Sequence, residues 1–141
     1  MAMTLLVVMA LNRAPNAATW QRAMTESHVP VHFSRPVNLE VHSGFVPLTL
    51  RGSASGFYFL REDFADLSRH YAPLAHMTVE KPVVYSLGYG GHGLECASAF
   101  YSASVLVSQF GGVAFDPEGG ELMSARSLQE TAEVCLALDD P

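Results

Sequence analysis

Lysine is nearly absent from this sequence: Lys81 is the only one in 141 residues, and the formal net charge is −6. The balance is uneven, since residues 1–70 hold six basic residues against five acids, whereas residues 71–141 hold two against nine. A chain without a basic stripe lacks the electrostatic attraction on which nucleic-acid binding depends. We therefore expect no nucleic-acid partner. The acidic half is either a solvated surface or a face for a basic partner.

Cysteines and long apolar runs are also scarce. Cys96 and Cys135 fall in predicted helices, so we expect free buried thiols, with a disulfide as the open alternative. The apolar residues 1–11 have no positive charge before them and are too short to span a bilayer. The second apolar run, Leu94–Phe110, contains four serines and is typical of a core helix. These features predict a cytoplasmic protein without a membrane partner.

Hydrophobic residues make up 49% of the chain and charged residues only 16%. That apolar content is enough for a real core, and the length is typical of one domain, so residues 1–141 are predicted to form a single domain. The low charge content also leaves neutral surface that a partner protein or a second copy of the chain would cover.

Periodicity and turn residues predict strands mixed with helices. Two apolar runs, Gly44–Leu50 and Gly56–Leu60, flank a turn of small residues and predict a hairpin. Pro15 is expected to begin the first helix, and Ser127 to cap the last one. Other strands are expected at Thr4–Ala10, Val29–Phe33, Pro82–Leu87 and Val113–Phe115, and other helices along Phe64, Leu67, Tyr71 and Leu74 and over Leu94–Phe110. This order predicts an α+β fold, a mostly antiparallel sheet with about four helices packed mainly on one face.

One glycine-rich segment matches a nucleotide-binding pattern. Gly88, Gly90 and Gly93 fit G-x-G-x-x-G between a predicted strand and a predicted helix. Backbone amides at such a helix N-terminus hold a diphosphate, and Asp116 after the next strand suits a ribose hydroxyl. Against this hypothesis, Glu95 in the first helical turn repels phosphate, and only one βαβ unit follows. The alternative is a flexible turn that lets the helix approach the sheet, and on that alternative we expect no cofactor.

Two further groups of residues are candidates for chemistry. Glu40 and His42 share one face if they lie on a strand, and His32 would complete a three-ligand metal site. Histidine without a metal is the alternative. Cys96, near a helix N-terminus and four residues after His92, is a candidate nucleophile in a Cys–His dyad. A packed, inert thiol is the alternative.

Tyr58 is a candidate for an interface. Alternation in the segment Phe57–Phe59 places Tyr58 on the face opposite its two neighbours. An exposed tyrosine there suits a protein interface, whereas a helix that covers this second face would bury it.

Three short segments, Gly44–Pro47, Ser55–Phe57 and Phe110–Pro117, resemble small bacterial α+β domains, some of which are immunity-protein-like and belong to polymorphic toxin systems. The resemblance touches most of the chain after Gly44, and its motifs are structural rather than catalytic. It implies a cytoplasmic, non-enzymatic protein that binds a partner protein. The acidic half would then suit a basic toxin such as a nuclease.

The sequence thus leaves three hypotheses. The first is a non-catalytic protein-binding domain whose partner is another protein or a second copy of the chain. The second is a nucleotide-binding or other small-molecule-binding domain that uses Gly88–Gly93. The third is a thiol-dependent enzyme that uses Cys96 and His92.

Overall fold

The computed structural model of the protein describes residues 3–138, a range that contains seven strands and five helices. The strands are β1 (Met3–Ala10), β2 (Val31–Phe33), β3 (Gly44–Leu50), β4 (Ser53–Glu62), β5 (Pro82–Tyr89), β6 (Val113–Asp116) and β7 (Glu121–Met123). The helices are α1 (Ala17–Glu26), α2 (Phe64–His70), α3 (Ala72–Ala75), α4 (Gly93–Phe110) and α5 (Ala125–Leu138). None of these helices is long and apolar enough to cross a membrane.

All seven strands form one sheet in the order β2-β3-β4-β5-β1-β6-β7, and each pair of neighbours is antiparallel. β1 lies between β5 and β6, so these two strands run in the same direction without pairing. α4 connects them. The predicted α+β class with a mostly antiparallel sheet is confirmed.

The helices divide unequally between the two faces of the sheet. We call the face that carries α1, α4 and α5 the inner face, where most of the core lies. Within residues 3–138, the outer face carries only α2 and α3, above a smaller cluster of buried residues. The described residues thus form five helices rather than about four, with the three long ones on one face. The extra helix arises because Pro73 lacks an N–H and crowds the preceding turn, so the predicted helix through Phe64 and Leu74 breaks at the extended residue Tyr71.

The inner core is organised around Trp20, which is fully buried on α1. Its indole Nε1–H donates to the carbonyl oxygen of Ser102 at 3.1 Å and so ties α1 to α4. Asn16, rather than Pro15, defines the start of α1, because its side-chain oxygen accepts from the Thr19 N–H at 2.8 Å. The expectation for Pro15 is wrong by two residues.

The predicted hairpin is present as β3 and β4, and its ladder extends to the pair Leu50 and Ser53. Arg51 and Gly52 form the two-residue turn with φ values of 51° and 83°, as hairpin turns of this length require. The last helix begins earlier than predicted, because the Ser124 hydroxyl accepts from the Ser127 N–H at 3.1 Å. The three-residue strand β7, which pairs with β6, has no counterpart in the prediction because it is too short to show a period.

Candidate functional site

The glycine segment has a different form from a dinucleotide-binding loop. Gly88 lies within β5, where it pairs with Thr4 on one side and Tyr58 on the other. The Gly90 N–H donates to the Glu95 carboxylate at 2.9 Å. Glu95 therefore occupies the position that the nucleotide hypothesis assigns to a phosphate oxygen. Because β6 pairs with β1 rather than β5, α4 does not connect adjacent parallel strands as in a dinucleotide fold.

Asp116 lies at the end of β6 and serves the turn that follows. Its carboxylate accepts from the Glu118 N–H at 3.0 Å. Burial, with smaller contributions from the charges of Asp116 and Glu118, raises the pKa of Tyr89 to about 12. The carboxylates of Glu95, Asp116 and Glu118 thus lie near the glycine segment. That charge disfavours a phosphate there.

The two cysteines are joined to each other. Cys96 in the first turns of α4 and Cys135 near the end of α5 form a disulfide, with 5.7 Å between their Cα atoms. The expectation of free thiols is therefore wrong for this structure, because packing of α4 against α5 brings together residues that are 39 positions apart. His92 is exposed at the start of α4. A disulfide sulfur is not a thiolate, so Cys96 in this state cannot act as the nucleophile of a dyad with His92.

The three predicted metal ligands do not assemble. Glu40 and His42 lie in the turn region between β2 and β3 rather than on a strand, so the alternation argument does not apply to them. The His42 ring Nε2 is 3.1 Å from the carbonyl oxygen of Phe45. His32 is exposed on β2. Across residues 3–138, no three His, Cys, Asp or Glu side chains are placed to hold a metal ion.

A cleft of about 850 Å³ opens between the first turns of α1 and the segment 33–40, with Arg61 and Tyr85 from β4 and β5 also lining it. Gln21 joins its two walls: its side-chain nitrogen donates to the Val31 carbonyl at 2.9 Å, and its side-chain oxygen accepts from the Phe33 N–H at 2.7 Å. The Tyr85 hydroxyl donates to the Pro15 carbonyl at 2.9 Å. These bonds fix the cleft between elements that are distant in sequence.

Arg35, Glu40 and Arg61 are the charged residues of the cleft. Arg61 is half-buried and Arg35 is exposed, and neither forms an ion pair or hydrogen bond with another residue of 3–138. Burial raises the pKa of Tyr85, an effect that the charge of Arg61 opposes and that of Glu40 reinforces. Tyr85 is thus a neutral hydrogen-bond donor at physiological pH. Sequence reasoning missed Arg61 and Tyr85, since no local pattern marks either residue.

The outer face has an uncovered region over β3 and β4. Phe45, Tyr58 and Leu60 are 38%, 53% and 44% exposed, and we call these three residues the bare patch. The rings of Phe45 and Tyr58 pack edge to face across the two strands, with 5.2 Å between their centroids. Phe57 and Phe59 are buried on the inner face. The predicted orientation of Tyr58 is confirmed, and none of the helices described buries it.

No protein-family model, curated protein or solved structure matches this chain. The surfaces described above therefore carry the functional inference.

Proposed function

We propose that this protein is a non-catalytic binding domain that docks a partner protein on the bare patch. The observation that carries the proposal is the clustering of Phe45, Tyr58 and Leu60 on one side of two paired strands. Single exposed apolar residues are normal on a protein surface, whereas adjacent ones form the kind of patch found at interaction sites. Tyrosine and phenylalanine are also enriched in interface centres.

The charges beside the bare patch indicate the chemistry of the partner. Glu62 follows Leu60 by two residues on the same strand and so shares its face. Asp63 comes next, and neither acid forms an ion pair within residues 3–138. A partner that presents an apolar ridge flanked by lysine or arginine would complement this arrangement. The resemblance to immunity-protein-like domains supports a protein as the partner.

Four acids of the C-terminal half lie on other elements than the bare patch. Glu118 and Glu121 are on the hairpin of β6 and β7, and Glu130 and Glu133 are exposed on α5. β7 is four strands from β4, about 19 Å at the usual strand spacing. Asp139 and Asp140 fall outside the described residues. The acids proposed to flank the partner are therefore Glu62 and Asp63, rather than Glu118, Glu121, Glu130 or Glu133.

Cytoplasmic location stays a prediction. Disulfides persist mainly in oxidising compartments, so the bond between Cys96 and Cys135 favours a different compartment. Alkylation of the protein in its own cells, followed by mass spectrometry, distinguishes the cytoplasm from an oxidising compartment. Labelled thiols would agree with the cytoplasm, and an unlabelled pair with an oxidising compartment.

Site-specific photo-crosslinking tests the docking proposal. Tyr58 is replaced by the photo-reactive residue p-benzoylphenylalanine, and the variant is irradiated in a lysate of its own cells. The matched control carries the same residue at Leu122, which is 50% exposed on β7. We expect one discrete product from position 58 and none of that mass from position 122, and we expect Leu60→Ser to abolish it.

Two results would contradict the proposal. Equal product patterns from positions 58 and 122 would mean that the bare patch has no specific partner. A product that contains only this chain, at twice its mass, would mean that the partner is a second copy of the chain rather than a different protein.

A further inference from the structure

The cleft between α1 and residues 33–40 is built as a ligand site is built. Its volume of about 850 Å³ falls within the range typical of small-molecule sites. Much of its lining is apolar: Leu11, Ala14, Pro15, Phe33, Val37 and Leu39. The hydrogen bonds of Gln21 and Tyr85 hold its walls, so the cavity is formed before any ligand arrives.

The charges in the cleft specify what kind of ligand fits. Arg35 and Arg61 have no carboxylate partner within residues 3–138, and Glu40 is the one acid among the lining residues. The cleft therefore carries a net positive charge in a chain whose formal net charge is −6. An arginine at an apolar surface binds carboxylate and phosphate oxygens through paired N–H donors.

We propose that this cleft binds a small organic anion, with its acidic head group on Arg61 and Arg35 and its apolar body against Phe33, Val37 and Leu39. The site is separate from the bare patch, since Arg61 faces the inner side of β4 opposite Tyr85, whereas Leu60 faces the outer side. The proposal thus stands independently of the docking function. It also gives the small-molecule hypothesis a location other than the glycine segment.

Fluorescence titration with two probes tests the site. The first is 8-anilino-1-naphthalenesulfonate, an anion with an aromatic body, and the second is neutral N-phenyl-1-naphthylamine, which has the same body without the sulfonate. We expect the anion to bind about tenfold more tightly than the neutral probe, a typical effect of one charge-assisted contact. Arg61→Gln should remove that advantage and leave binding of the neutral probe unchanged.

A second site variant and two controls complete the test. Arg35→Gln changes an exposed side chain that carries little risk to folding, and it should weaken binding of the anion by about fivefold. Arg126→Gln removes an arginine on α5, far along the chain from the cleft, and should change nothing. Tyr58→Ser alters the bare patch and should also leave both affinities intact.

Competition with 1-naphthylacetate and 1-naphthyl phosphate then identifies the head group. Displacement of the fluorescent anion by either compound supports the proposal and shows whether carboxylate or phosphate is preferred. The proposal is overturned if neither compound competes or if both probes bind equally. It also fails if folded Arg61→Gln and Arg35→Gln bind the anion as the wild type does, or if Tyr58→Ser abolishes the signal.

Discussion

The two parts of the outer sheet face carry similar aromatic pairs in opposite surroundings. Over β1, β5 and β6, Tyr71 packs on Phe115 with 5.1 Å between ring centroids, and Phe115 is 1% exposed. Over β3 and β4, Phe45 packs on Tyr58 at 5.2 Å, and both rings remain open to solvent. The first pair belongs to the core and the second is available to a partner.

The difference follows from the size of the helical layer that covers the outer face of the sheet. Seven strands span about 29 Å at the usual spacing, whereas a helix is about 10 Å across and the seven residues of α2 are about 10 Å long. Because Pro73 breaks the helical segment, α2 and α3 cover the strands around β1 and reach no further. The sheet is wider than its outer layer, and the bare patch is what remains uncovered.

The largest expected effect on stability comes from replacing one phenylalanine by alanine in each of the two parts of the outer face. Phe115→Ala should lower the free energy of unfolding by about 3–5 kcal/mol, because it opens a cavity beneath α2 and α3. Phe45→Ala should lower it by about 1 kcal/mol, because the ring is partly exposed already. Urea denaturation measures both. Equal losses would mean that the two parts do not differ as described.

Removal of the disulfide tests whether docking on the bare patch depends on helix packing on the inner face. Cys96→Ser with Cys135→Ser should cost about 2–4 kcal/mol, since a cross-link over 39 residues restricts the unfolded chain. The crosslinked product from position 58 should persist as long as the variant remains folded. Alkylation of Cys96 in the folded wild type without reductant would show that the thiol is free and would contradict the cross-link.

A substitution at Gly56, which lies beneath the Phe45 ring, should change the shape of the bare patch. A methyl group at this position would overlap the Phe45 ring and the Val46 carbonyl oxygen. Gly56→Ala should therefore cost about 1–3 kcal/mol and displace Phe45, with loss of the crosslinked product. Gly91→Ala is the control, because nothing lies within 4 Å of the added methyl group. Thermal unfolding of the two variants gives the comparison, and an unchanged Gly56→Ala would refute the packing described.

The smallest effect on stability is expected at Leu60. Leu60→Ser and Leu122→Ser replace side chains that are 44% and 50% exposed, so each should alter the free energy of unfolding by less than about 0.5 kcal/mol. Only Leu60→Ser should abolish the crosslinked product. A loss of stability at Leu60 comparable to that at Phe115 would place this residue in the core.

Local pattern was enough to predict much of the sheet. Alternation oriented Phe57, Tyr58 and Phe59 correctly, and turn residues located the hairpin. Whether Tyr58 is exposed depended instead on how far α2 reaches, which no window around Tyr58 contains. The helix break at Tyr71 shows the same limit, since the apolar stripe continued through a proline that the backbone could not accommodate.

The candidate sites were harder to predict because they depend on contacts between distant segments. Arg61 and Tyr85 meet through the pairing of β4 with β5, and the cleft above them is closed by residues 33–40. The glycine spacing, by contrast, was a local match without the required surroundings. The Glu95 carboxylate accepts a hydrogen bond from the Gly90 N–H, so that amide is already paired within the chain.

The docking claim is tested most directly by hydroxyl-radical footprinting of the purified protein and of the same protein in a lysate of its own cells. We predict that Phe45, Tyr58 and Leu60 are oxidised in the purified protein and protected in the lysate, while Leu122 is oxidised equally in both. Equal oxidation of Tyr58 in the two samples would contradict the claim that a partner covers the bare patch.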